Sequence, residues 1–83
     1  MELRHLRYFV AVAEAGNLTR AAEKLFIAQP PLTRAIKQLE EEIGVELFIR
    51  KPRGLDLTTG GDYFLEQARQ ILDKVGATVE DTR

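Results

Sequence analysis

The chain contains no cysteine, no tryptophan and no serine, and its single histidine is His5. The first absence removes any disulfide framework and any thiolate metal site. Lacking both cysteine and serine, the chain cannot supply the usual side-chain nucleophile beside a histidine base, so acyl-transfer chemistry of that kind is excluded. A lone histidine near the chain start reads as a helix-end or surface residue, and no metal or cofactor is expected. No apolar run reaches the length of a bilayer span and no leader pattern is visible, so the chain reads as cytoplasmic and without a membrane partner. A basic excess is also missing: 12 Lys and Arg stand against 13 Asp and Glu, a net charge of −1. Taken alone, that balance argues mildly against a nucleic-acid partner. At 83 residues the chain is one small domain with a thin core, a size at which a partner often supplies part of the stability.

Proline is scarce, and its placement is informative. Two of the three prolines are adjacent, Pro30 and Pro31. Inside a helix each would cost a hydrogen bond; only the first turn, where backbone N–H groups have no partner, tolerates both. Upstream, Leu18, Ala21, Ala22 and Leu25 follow the i, i+3, i+4, i+7 pattern of one helical face. Asn17 or Thr19 can cap that helix, and the two alanines permit close approach of another. Phe26-Ile27-Ala28 is long enough only for a turn. Leu32, Ile36, Leu39 and Ile43 then form the inward stripe of a third helix, with Gly44 as its stop. Gln29, Thr33, Arg34 and Lys37 fall opposite this stripe, and Glu40, Glu41 and Glu42 crowd the far end. Gln29, preceding proline, is expected to be extended.

Two short helices joined by a tight turn, the second opening on a rigid apolar tip flanked by Gln29 and Arg34, form a helix-turn-helix suited to the major groove of double-stranded DNA. Prolines can contact thymine methyls, glutamine can pair with adenine, and arginine can grip guanine O6 and N7. Local charge also outweighs the net value. Arg4, Arg7, Arg20, Arg34 and Lys37 gather in the front half and Arg50, Lys51 and Arg53 further on, while the acids concentrate at Glu40–Glu46 and after Gly61.

The remaining elements complete a mainly α winged helix-turn-helix. A first helix spans roughly Leu3 to Ala15, with Leu3, Leu6, Phe9, Val10 and Ala13 buried and Gly16 ending it. Leu47-Phe48-Ile49-Arg50 and Leu55-Asp56-Leu57 read as two short strands around a Lys51-Pro52-Arg53-Gly54 turn. Its basic tip can lie along phosphates or reach into the minor groove. Thr58 reads as the N-cap of a long last helix running to the chain end, with Gly60 and Gly61 weakening its first turn. Leu65, Ala68, Leu72, Val75, Val79 and Thr82 repeat at spacings of 3, 4, 3, 4 and 3, a heptad seam. The expected organisation is a DNA-binding unit over 1–58 and a dimerising linker helix over 59–83. Leu65, Ala68, Leu72, Val75 and Val79 form the dimer interface, and Phe64 and Ile71 dock on the body. The alternative is a seam that packs internally on the first helix.

The chain resembles the N-terminal domain of LysR-type transcriptional regulators. The stretches that carry the resemblance are Leu3–Phe9, Ala13–Ala22, Leu25–Arg34, Ile36–Glu40, Leu47–Arg50 and Leu57–Gly61, nearly the whole chain in the family's order. The resemblance implies a homodimer bound to operators of interrupted dyad symmetry, with a tetramer open to the full-length protein. It also implies a C-terminal domain that binds a small-molecule effector and is absent from this sequence. Gln29, Pro30, Pro31, Thr33 and Arg34 would meet bases or nearby phosphates, Arg53 would act from the wing, and Thr19 and Arg20 would meet the backbone. The Arg-His-Leu-Arg-Tyr-Phe opening and the Gln-Pro-Pro tip are similar to the subgroup controlling degradation of aromatic compounds. Two departures stand out: Ala28 where the family usually carries a serine cap, and Gly60 where it usually carries alanine. The rival from another class is a homodimeric adaptor, which suits the seam but has no need to align the Gln29–Arg34 tip with a Lys51–Arg53 wing.

Overall fold

The computed structural model describes all 83 residues. Its elements are α1 (Leu3–Ala15), α2 (Leu18–Leu25), α3 (Gln29–Ile43), β1 (Phe48–Lys51), β2 (Gly54–Leu57) and α4 (Thr59–Thr82). The strands pair antiparallel from Phe48 opposite Leu57 to Lys51 opposite Gly54, so the wing turns through only Pro52 and Arg53.

Local chemistry sets these boundaries. The Asn17 side chain accepts from the Arg20 amide and caps α2. Thr58 Oγ1 accepts from the Gly61 amide at 2.9 Å and caps α4. Gly16 and Gly44 close α1 and α3 in the left-handed conformation. Phe26 takes the same conformation at the end of α2, with φ 57° and 94% of its surface exposed. That is a glycine's position, and nothing in the structure explains the aromatic there. Ala28 offers α3 no side-chain cap. The helix nevertheless begins at Gln29, which is therefore helical rather than extended, and both prolines lie in its first turn.

Twelve of the 83 residues are buried, so the core is thin and each member counts. It joins Leu6, Phe9 and Val12 of α1, Ala21 and Ala22 of α2, Leu32, Ile36 and Leu39 of α3, Leu47, and Ala68 of α4. The Phe9 ring ties three elements together, lying 5.2 Å from Phe48 of the wing and 5.0 Å, edge-on, from Phe64 of α4. The expected stripe of α1 shifts by one position: Val12 is fully buried, whereas Leu3 is 40% exposed at the helix start. Ile43 lies past the packed part of α3 and is also exposed.

The largest departure concerns α4. Ala68 has no exposed surface and belongs to the core of its own chain, and Leu65 and Leu72 pack against that core. Phe64 docks as expected, but Ile71 remains exposed. The first half of the helix is thus covered by α1, and an Arg69–Glu14 ion pair at 3.0 Å fastens the two. The internal alternative holds for Ala68, which cannot meet a second chain. Packing continues past residue 58, because Phe64, Leu65, Ala68 and Leu72 lie on the core of the winged unit. Val75 is half-buried and Val79 is 47% exposed, beyond that cover.

The two glycines that open α4 are not equivalent. A Cβ on Gly61 would fall 2.1 Å from the Leu47 carbonyl oxygen, whereas a Cβ on Gly60 would meet the Val45 side chain at an ordinary 3.5 Å. We expect Gly61→Ala to destabilise the fold by about 1–3 kcal/mol through overpacking. Gly60→Ala should stabilise it by about 0.5–1 kcal/mol by restricting the unfolded chain. Urea denaturation followed by circular dichroism distinguishes the pair, and equal losses would contradict the assigned difference.

Candidate nucleic-acid interface

The surface is built outward from α3. Its inner ridge, Leu32, Ala35, Ile36 and Leu39, is buried, so the residues between must face outward. Gln29, Pro30, Pro31, Arg34 and Lys37 are exposed and Thr33 is half-exposed. These six do not form one strip. Thr33 and Lys37, four residues apart, line a groove of about 440 Å³ closed on the far side by Phe48, Ile49 and Arg50 of β1. Pro31 and Arg34 turn the other way, onto a groove of about 330 Å³ shared with Arg4, His5 and Tyr8 of α1. The helix therefore presents a protruding first turn with a basic flank on each side.

From α2, Thr19 and Arg20 are exposed at the capped N-terminus. Thr19 Oγ1 donates to Gln29 Oε1 at 3.2 Å, so the structure brings the α2 start and the α3 tip together. From the wing, Arg53 is exposed in the two-residue turn. Its neighbour Lys51 is engaged across the hairpin, its ammonium 2.8 Å from Asp56. Hydrogen bonding to that carboxylate, then its charge, raises the Lys51 pKa above the usual value. Lys51 is thus a hairpin strut, and the free guanidiniums of the wing are those of Arg50 and Arg53.

Glu40 does more than crowd the far end of α3. One of its carboxylate oxygens accepts from the Leu47 amide at 2.7 Å and the Phe48 amide at 3.4 Å. The carboxylate binds the start of β1 to α3, and two N–H dipoles balance its charge. Sequence reading missed this role, and it missed Arg4 and Arg50 as groove-lining residues. Spacing along one helix does not reveal which other element will face it; the basic cluster around Arg50 was the only signal. No group of three or more His, Asp or Glu side chains converges on a point, and no helix is long and apolar enough to cross a membrane.

The arrangement combines a stiff protruding helix tip, unpaired cations on both flanks and a second basic loop one groove away. Comparison with known proteins agrees. The profile of the family described as "Bacterial regulatory helix-turn-helix protein, lysR family" matches residues 3–62. The chain belongs to the LysR family. It is 57% identical over 72 residues to the HTH-type transcriptional regulator TfdT of Cupriavidus pinatubonensis, covering 87% of this chain and 32% of that protein. It superposes on the crystal structure of a CbnR_DBD–DNA complex with a TM-score of 0.96 at 49% identity, covering 100% of this chain and 95% of that one. The BenM_DBD/catB site 1 DNA complex gives 0.95 at 51% identity, covering 99% and 91%. This chain thus spans about a third of TfdT. This winged helix-turn-helix is a sequence-specific DNA-binding domain of the LysR type.

The wing tip is expected to act through charge. Arg53→Ala should lower the slope of log affinity against log salt by roughly one unit while leaving sequence preference intact. Titration of a labelled duplex across a salt series measures this, and an unchanged slope would mean that the Arg53 guanidinium stays in solvent.

Proposed function

We propose that the chain reads one half of a dyad-symmetric operator, in a homodimer that places a second copy on the other half. The first turns of α3 enter the major groove, with Gln29, Pro30, Pro31, Thr33, Arg34 and Lys37 against base edges and nearby phosphates. Arg53 lies on the adjacent backbone or in the minor groove, and Thr19 and Arg20 approach the backbone from the α2 N-terminus. The observation that carries this reading is the protrusion of an uncapped, proline-stiffened helix start between Arg34 on one flank and Lys37 with Arg50 on the other, none of them ion-paired.

The two copies meet through the far half of α4. Leu65 and Leu72 offer only the edges that α1 leaves free, so Val75 and Val79 carry the contact, and Ala68 has no part in it. Further elements belong to the same reading: a cytoplasmic regulator, a winged unit and linker that meet near residue 58, a tetramer in the full-length protein, and a small-molecule effector bound by a C-terminal domain. The opening Arg4–Phe9 and the Gln29–Pro31 tip favour genes of aromatic-compound degradation.

Arg34→Ala should weaken binding to a selected operator by about 1–3 kcal/mol and relax one base position. Equal loss on operator and random duplex would make Arg34 a phosphate contact instead. Val79→Asp places a carboxylate in the seam of each copy without touching the core. It should dissociate the dimer in sedimentation runs at matched concentration and weaken full-operator binding far more than half-site binding. A wild type that stays monomeric at high concentration would remove α4 from the dimer interface.

A further inference from the structure

Thr19 and Gln29 are ten residues apart in sequence, on different helices, and the 3.2 Å bond between them is a side-chain hydrogen bond joining α2 to α3. It is the one side-chain hydrogen bond Gln29 makes. An exposed glutamine otherwise samples many rotamers. Its amide carries an acceptor oxygen and a donor NH2, and its rotamer decides how those ends meet a base edge.

We infer that Thr19 is a positioning residue that holds the Gln29 amide in one rotamer at the α3 tip. Thr19 is itself fixed near the start of α2, where Asn17 Oδ1 accepts from the Arg20 amide at 2.9 Å. A fixed amide presents its donor and acceptor to the major-groove edge in one geometry, so the base it meets is read more sharply. Thr19 therefore contributes base discrimination at the position Gln29 reads. A pre-set rotamer also reduces the ordering needed on binding. This inference rests on the reading of α3 as the major-groove helix.

Selection of bound duplexes from a randomised pool, with sequencing of the bound fraction, tests it on the 83-residue chain. Gln29→Ala should flatten one position per half-site and so identify the base Gln29 meets. Thr19→Val keeps the side-chain shape and removes the hydroxyl. At that same position it should reduce base discrimination by about fivefold, the worth of one ordinary hydrogen bond, while other positions keep their preferences. Thr19→Ala should do the same and Thr19→Ser should restore discrimination, with circular dichroism confirming the fold of each. If Thr19→Val and Thr19→Ala weakened binding alike on every sequence with the base profile unchanged, Thr19 would be a backbone contact and the inference overturned. A Gln29→Ala variant that flattened no position would instead overturn the reading of Gln29 on which the inference stands.

Discussion

The structure depends on how Leu47 is held. Its side chain is fully buried in the core, and its backbone is gripped from both directions. The amide donates to Glu40 of α3 at 2.7 Å, and the carbonyl accepts from the Thr58 amide at 3.0 Å. Gly61 in the first turn of α4 approaches that same carbonyl so closely that no side chain fits between. The third helix, the hairpin and the fourth helix are therefore referred to a single residue. The wing is fixed at its other end as well, where the Leu55 amide donates to the Gly16 carbonyl at 2.9 Å. A two-stranded hairpin is marginal by itself. Here its orientation relative to α3 comes from these attachments, and a rigid angle between two DNA-facing elements is what a fixed register on the duplex requires.

A protein with a net charge of −1 meets a polyanion with several of its acids already engaged, although Glu40 and Glu46 line the same groove as Lys37 and Arg50. Glu40 faces strand amides. Glu14 pairs with Arg69 behind α1, and Asp56 pairs with Lys51 within the wing. Arg20, Arg34, Lys37, Arg50 and Arg53 have no acidic partner; Lys37 and Arg50 share the groove between α3 and the hairpin, while Arg34 turns toward α1. The local potential there, not the chain total, steers the encounter.

Much of this was legible in the sequence because strong local signals agreed with the tertiary outcome. The double proline admitted only a helix start, Asn17 was one of two candidate caps beside Thr19, Thr58 read as a cap, and Gly16 and Gly44 marked helix ends. Alternation and a basic turn gave the hairpin. Signals that depend on a second element were not legible. The 3.5-residue repeat of α4 looks the same whether its apolar side meets α1 or another chain, and Ala68 lies where α1 already covers it. Gly61 reads locally as a weak helix start, yet its reason is a carbonyl fourteen positions upstream. Glu40 reads as one of three consecutive glutamates until the amides of Leu47 and Phe48 select it. Lys51 and Arg53 look alike in a basic turn, and only the pairing register puts Asp56 within reach of the lysine.

The central claim is that α3 reads bases in the major groove while the wing holds the flanking backbone in a fixed relation to it. Footprinting of the chain on a selected operator tests both parts at once, by guanine N7 methylation interference and by hydroxyl-radical protection. The account predicts base-specific interference in one short major-groove patch per half-site, with backbone protection extending to one side of that patch where the wing lies. Backbone protection without any base-specific interference would contradict it.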